Sequence, residues 1–212
     1  MNTVPPCETN MVVPDIAACV HLMDEYGMLT NIRHHSLVVA RVADALVTGL
    51  DNGKKPGSSI SRKLVIAGAL LHDIAKTPCL DGQCNHAAKG AEICSRHGYP
   101  DIARIVAEHV ILSEYDPVRY KKGLFTAGEI VYYADKRVRH AEIVTLEERL
   151  TYILSHYGNN DPHLHALIRE NFERCQQMET SLFTILPFNV DKLERLVRFP
   201  QPPGGKEHDP WS

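Results

Sequence analysis

Residues His72, Asp73 and Lys76 set an imidazole, a carboxylate and an ammonium at the end of the stretch Lys63-Leu64-Val65-Ile66-Ala67-Gly68-Ala69-Leu70-Leu71. From Val65 to Leu71 every position is apolar or small, and a helix that is apolar all round is enclosed by protein. Each of the three polar groups is costly there unless it finds a partner. On a helix, adjacent His72 and Asp73 project about 100° apart and can flank one point just off its end. Lys76 stands one turn beyond His72 on the same side. Such a trio suits a metal ion with an anion beside it; the alternative is a buried salt bridge that closes a core helix.

More groups of this kind face inward by helical spacing. Thr30 or Asn31 can cap a helix reaching about Leu50, on which His35, Val38, Val39, Val42 and Leu46 share one side. His34 shares its side with Arg41 and Thr48 and points toward water. Asn85 caps a helix through His97, with His86 in its first turn in line with Gly90 and Ile93. Pro100 opens the next helix, where Ile102, Ile105, Val106 and His109 form a stripe. Thr126 and Glu129 make a capping box for a helix to about Val138, with Asp135 on its apolar face beside Val131 and Tyr132. A single histidine on an apolar face is usually a satisfied core residue. Four imidazoles and two carboxylates on five helices are hard to satisfy separately, and a shared metal site satisfies them together.

The remaining elements are also helical. A helix over about Pro14–Tyr26 stops at Gly27, and Ser59 or Ser61 caps the central helix, which is expected to run through Lys76. Thr145 and Glu148 form a second capping box, Asp161-Pro162 starts a long helix to about Phe183, and a short one spans about Asn189–Val197. No stretch alternates as a strand does, so the expected fold class is all-α. The organisation expected is a loose arm over 1–13, one domain over 14–144, helices over 145–198 packed on it, and a disordered tail over 199–212.

Composition narrows the function. The 212 residues carry a formal charge of −3, which argues against a non-specific nucleic-acid or membrane-surface binder. No apolar run is long enough for a membrane span and no signal pattern opens the chain, so the expected location is the cytoplasm. The six cysteines are scattered and are read as free thiols. Cys79 and Cys84 followed by His86 offer a zinc clip, though their spacing matches no common zinc motif.

The ordered set His35-Ser36, Leu70-Leu71-His72-Asp73-Ile74-Ala75-Lys76, Glu108-His109 and Ala134-Asp135-Lys136 resembles the HD-domain superfamily of metal-dependent phosphohydrolases. The resemblance covers roughly residues 30–140 and extends to small bacterial members, among them diadenosine tetraphosphate hydrolases and HD domains attached to nucleotidyltransferase-like domains. It implies an all-helical HD bundle in which His35, His72, Asp73 and Asp135 bind one divalent metal. It further implies that His86 and His109 hold a second metal bridged by Asp73, with Fe, Mn, Mg, Zn, Ni and Co not distinguished. Ala75 stands where the commonest motif has Gly, and Val110 replaces the second histidine of the cyclic-di-GMP branch. The Gly98-Tyr99-Pro100 triplet lies upstream of His109 and reads as a helix stop and start.

The expected activity is hydrolysis of a phosphoester or phosphoanhydride of a small nucleotide by metal-activated water, with Asp73 and Lys76 as the catalytic residues. Arg137, Arg139, Lys121 and Lys122 are further candidates for phosphate, and Tyr115 and Tyr120 for stacking on a base. The expected partners are the small substrate and, in one arrangement, a second copy of the chain, with no nucleic acid and no membrane. A di-iron oxygenase on the same ligand types is the rival within enzymes. A metal-holding, nucleotide-sensing module without turnover is the rival outside catalysis.

Overall fold

A computed structural model describes residues 11–51 and 60–198. Most of the arm and tail anticipated at the two ends, the Lys54–Ser58 loop and Ser59 lie outside the described residues. Local sequence explains where the helices start. Helix α1 (Ile16–Glu25) begins at Asp15, whose carboxylate accepts from the Ala18 N–H at 2.8 Å, and Gly27 turns the chain out of it with φ +60°. Helix α2 (Thr30–Asp51) takes Thr30 into its first turn, one residue earlier than a cap at Thr30 and two earlier than a cap at Asn31 would place it. Leu29, just before it, donates its N–H to Thr77 Oγ1 at 3.1 Å.

Helix α3 (Arg62–Leu71) is capped by Ser61. It does not run through Lys76 as expected: residues 72–76 continue as tighter turns, with the Ile74 N–H on the Leu71 carbonyl and the Lys76 N–H on the Asp73 carbonyl. The Ala69 carbonyl, one turn back, accepts from the His72 ring at 2.7 Å, which takes an acceptor a continuing helix would use.

Helices α4 (His86–Arg96), α5 (Pro100–Glu108), the short α6 (Pro117–Lys121) and α7 (Ala127–Lys136) follow. The α7 helix ends two residues short of Val138, and a two-residue antiparallel ribbon, β1 (Val138–Arg139) with β2 (Glu142–Ile143), takes over. His140 turns that ribbon with φ +56°. Helices α8 (Leu146–Tyr157), α9 (Pro162–Phe183) and α10 (Leu193–Arg198) complete the described chain. Both expected capping boxes are present, at Thr126/Glu129 and Thr145/Glu148.

Helix α3 is the axis, packed by α1, α2, α5 and α7. Two glycines let helices meet closely there. A Cβ on Gly68 would lie 2.9 Å from Ile105 side-chain atoms, and one on Gly90 would lie 2.7 Å from Val106 Cγ1. Gly90 therefore sets how near α4 sits to α5, and with it how near His86 sits to His109. The later helices share the same core: Phe172, Cys175, Met178 and Leu182 of α9 and Leu193 and Val197 of α10 are buried in it.

One cysteine expectation is corrected. Cys79 and Cys84 form a disulfide with their Cα atoms 5.1 Å apart, so they are neither free thiols nor a zinc clip. The turn through Asp81 and Gly82 folds this segment back on itself, so a bridge forms without any need to staple the core. Cys19, Cys94 and Cys175 are free and buried. Among the described residues no helix is long and apolar enough to cross a membrane.

Candidate metal centre

The six expected ligands converge. His35 lies in α2, His72 and Asp73 in the turns after α3, His86 at the start of α4, His109 at the end of α5 and Asp135 in the last turn of α7. His72 is fully buried, and His35, Asp73, His109 and Asp135 are each less than a tenth exposed. His34, next to His35, is exposed.

Asp73 divides the cluster in two. Its Oδ2 lies 3.5 Å from His72 Nε2 and 3.9 Å from His35 Nε2. Its Oδ1 lies 3.4 Å from His86 Nε2 and 3.5 Å from His109 Nε2. Asp135 joins the first half, with Oδ1 3.0 Å from His35 Nε2 and 3.7 Å from His72 Nε2. Two sets of donors close enough to share an ion result, His35/His72/Asp73 and Asp73/His86/His109. In the second, His86 Nε2 and His109 Nε2 are 3.1 Å apart.

Proton positions show why these groups fit a cation. His35 Nδ1 donates to the His140 carbonyl at 2.9 Å, His72 Nδ1 to the Ala69 carbonyl at 2.7 Å and His109 Nδ1 to the Val106 carbonyl at 2.6 Å. A neutral imidazole has one N–H, so each Nε2 then presents a lone pair toward carboxylate oxygens. Backbone carbonyls commonly fix metal-binding histidines in this tautomer. His72 Nε2 and Asp73 Oδ1 are buried without any hydrogen-bond partner. Lone pairs facing lone pairs in a dry place call for a positive charge between them.

Charged neighbours complete the site. Lys76 Nζ donates to Asp73 Oδ2 at 2.7 Å. Lys136, buried on α7, donates to the His109 carbonyl at 3.0 Å, lies over the Tyr132 ring at 4.1 Å and stands 3.6 Å from Asp135. Arg149 Nη2 on α8 stands 3.7 Å from Asp135 Oδ1. Burial opposes the charge on Asp73, but the Lys76 ammonium beside it helps hold the carboxyl well below its ordinary range. Burial likewise opposes the charge on Asp135, and the nearby Lys136 and Arg149 cations help hold it low. Burial lowers His86 to about 4, so its ring is neutral, as a ligand must be. Beside His86 a cavity of about 580 Å³ opens between residues 82–87 and Ala107, Val110 and Ile111.

Several of the secondary candidates already have partners. Arg137 is tied up, donating to the Val144 carbonyl, the Tyr133 hydroxyl and Glu179, and Arg139 pairs with Glu142. Tyr120 is fully buried, stacked on Phe125 and bonded to Glu129, so it offers no face to a base. Tyr115 sits edge-on to it and bonds Gln177. Sequence reasoning passed over Arg149 and the His140 carbonyl. The signal for Arg149 was present: it falls one turn from Leu146 and from Ile153, an arginine in an apolar stripe.

A helical bundle whose central helix ends in a buried His/Asp cluster defines an all-α protein with a candidate metal site. Within that class the chain belongs to the HD domain family, whose model matches residues 32–195. HD domains bind divalent metals, and the clustered His and Asp side chains are the candidates for that role here. The chain is also similar to curated relatives named tRNA (cytidine(56)-2'-O)-methyltransferase. One, from Thermoplasma volcanium, is 30% identical over 148 residues, covering 63% of this chain and 41% of that protein. Another, from Picrophilus torridus, is 27% identical over 206 residues, covering 92% of this chain and 54% of that protein. The chain spans about half the length of these relatives. No solved structure matches it.

Proposed function

We propose that this chain is a metal-dependent phosphohydrolase acting on a phosphoester or phosphoanhydride of a small, nucleotide-type substrate. The observation that carries the reading is the divided Asp73 carboxylate, with His35 and His72 facing one oxygen and His86 and His109 facing the other. In this reading His35, His72, Asp73 and Asp135 hold one divalent ion, and Asp73, His86 and His109 hold a second. Bound divalent ions supply Lewis acidity toward a phosphoryl oxygen and make water a better nucleophile at neutral pH. The protein keeps the imidazoles in the ligating tautomer through three backbone carbonyls. It excludes bulk water from the buried half of the cluster, and in this reading the Lys76 ammonium beside Asp73 offsets negative charge growing on the phosphoryl oxygens.

The oxygenase reading uses the same ligand types, and the lysines and arginine around them favour an anionic substrate instead. The relatives' names bring RNA in as a second candidate partner; the charge of −3 counts against it. The reading is tested by metal analysis of purified protein together with a panel of phosphomonoesters and nucleotides, assayed with and without dioxygen. Release of phosphate or a nucleoside monophosphate at equal rates in both atmospheres is expected. Strict dependence on dioxygen would overturn it.

A further inference from the structure

The two buried arginines of this region differ sharply. Arg137 donates from Nε and Nη1 to a carbonyl, a hydroxyl and a carboxylate. The Arg149 side chain is 10% exposed, and among the described residues its guanidinium makes no hydrogen bond. Its charge partner is Asp135, 3.7 Å away, at the oxygen that also faces His35 and His72. If Asp135 is committed to a divalent ion, the carboxylate no longer neutralises the arginine. Two carboxylates then stand with the buried Lys136 and Arg149 and the part-exposed Lys76, before the ion itself is counted. A surplus of positive charge in a buried place requires an anion.

We infer that Arg149, carried into the site by α8, is a direct phosphate-binding residue, and that the anion it takes carries two or more charges, such as a terminal phosphate or a pyrophosphate. The inference rests on the metal-site reading above and deepens it. A planar guanidinium with free donors suits two phosphate oxygens at once. Lys76 reaches the same half of the cluster through Asp73 Oδ2, so a phosphoryl group bound there meets cations from two elements. A phosphodiester monoanion leaves more of the surplus unmatched and is the poorer ligand.

The test is titration calorimetry of the metal-loaded full chain with inorganic phosphate, which needs no turnover. Arg149→Gln should keep its metal content and bind phosphate roughly 10- to 100-fold more weakly, the range of one lost charge-assisted contact. Arg149→Lys, which keeps the charge, should recover part of that loss. Arg104→Gln, the same charge change at an exposed position, should match wild type. Dimethyl phosphate should bind wild type at least about tenfold more weakly than phosphate. Unchanged phosphate affinity in Arg149→Gln overturns the inference, and so does loss of metal in that variant, which would make Arg149 a support for Asp135. Equal binding of dimethyl phosphate and phosphate overturns the assigned charge class. Phosphate binding through Arg149 in a protein that hydrolyses nothing would uphold the inference while refuting hydrolysis.

Discussion

Helix α7 carries a buried carboxylate near each end, Glu129 in its first turn and Asp135 in its last, 3% and 8% exposed. Around Glu129 donors match acceptors. Arg119 forms a bidentate pair with it, the Tyr120 hydroxyl donates at 2.8 Å, and the Thr126 N–H closes the capping box at 2.7 Å. Around Asp135 and Asp73 acceptors outnumber donors: three imidazoles have spent their Nδ1 protons on carbonyls, and two buried atoms have no partner. Depth of burial is therefore no guide to role on this helix. A buried carboxylate matched by donors, as Glu129 is, holds the fold, and one set beside unpartnered buried atoms, as Asp135 is, suits a site that binds something.

That contrast can be broken most severely at Asp73. Asp73→Ala should lose both metals and all hydrolytic activity, whereas His34→Ala should retain both; metal analysis and assay of the two variants check it. Full activity in a metal-replete Asp73→Ala protein would end the assignment. Next in size is the second half-site. The His86→Ala, His109→Ala double variant should bind about one ion where wild type binds close to two, with a strong fall in activity. Wild type with a single tightly bound ion would refute it.

Lys76→Met keeps the stem and removes the charge, so metal content should hold while turnover falls roughly 30- to 1000-fold, or about 2–4 kcal/mol. Unchanged kcat would return Lys76 to a salt-bridge role. At the other end of α7 the expectation reverses. Glu129→Ala should cost about 2–3 kcal/mol of stability by leaving the Tyr120 hydroxyl and Arg119 without their acceptor. The figure is at the low side because Arg119 is a quarter exposed and can turn to water. Denaturation should show the loss while the metal content of the folded protein stays at the wild-type level.

A last effect expected is a pH dependence in metal-stripped protein. His86 is lowered to about 4 by burial, against 6.5 in the unfolded chain. A group depressed on folding gives stability that is fully present above the unfolded value and lost as pH falls from 6.5 toward 4. Urea midpoints should fall over that window in wild type and less in His86→Ala. Equal slopes in the two proteins would show that His86 is not held neutral.

Much of this molecule was determined by its sequence. Helical spacing alone turned His35, His109 and Asp135 inward and His34 outward, because 3.6 residues per turn leaves a residue little choice once its neighbours are apolar. Helix starts were written in short-range chemistry, as Ser61, Asn85, Thr126 and Thr145 show. What only the tertiary structure decided was which groups meet. The end of α3 at Leu71, the ribbon that delivers the His140 carbonyl to His35, the closure of Cys79 on Cys84 and the enclosure of Tyr120 each depend on atoms distant in sequence or on a turn's exact path. Arg149 is the clearest case. Its position in an apolar stripe shows that it faces inward, but charge in a core is read only against the partners that packing supplies. Only the folded chain sets it beside Asp135 with its donors still free.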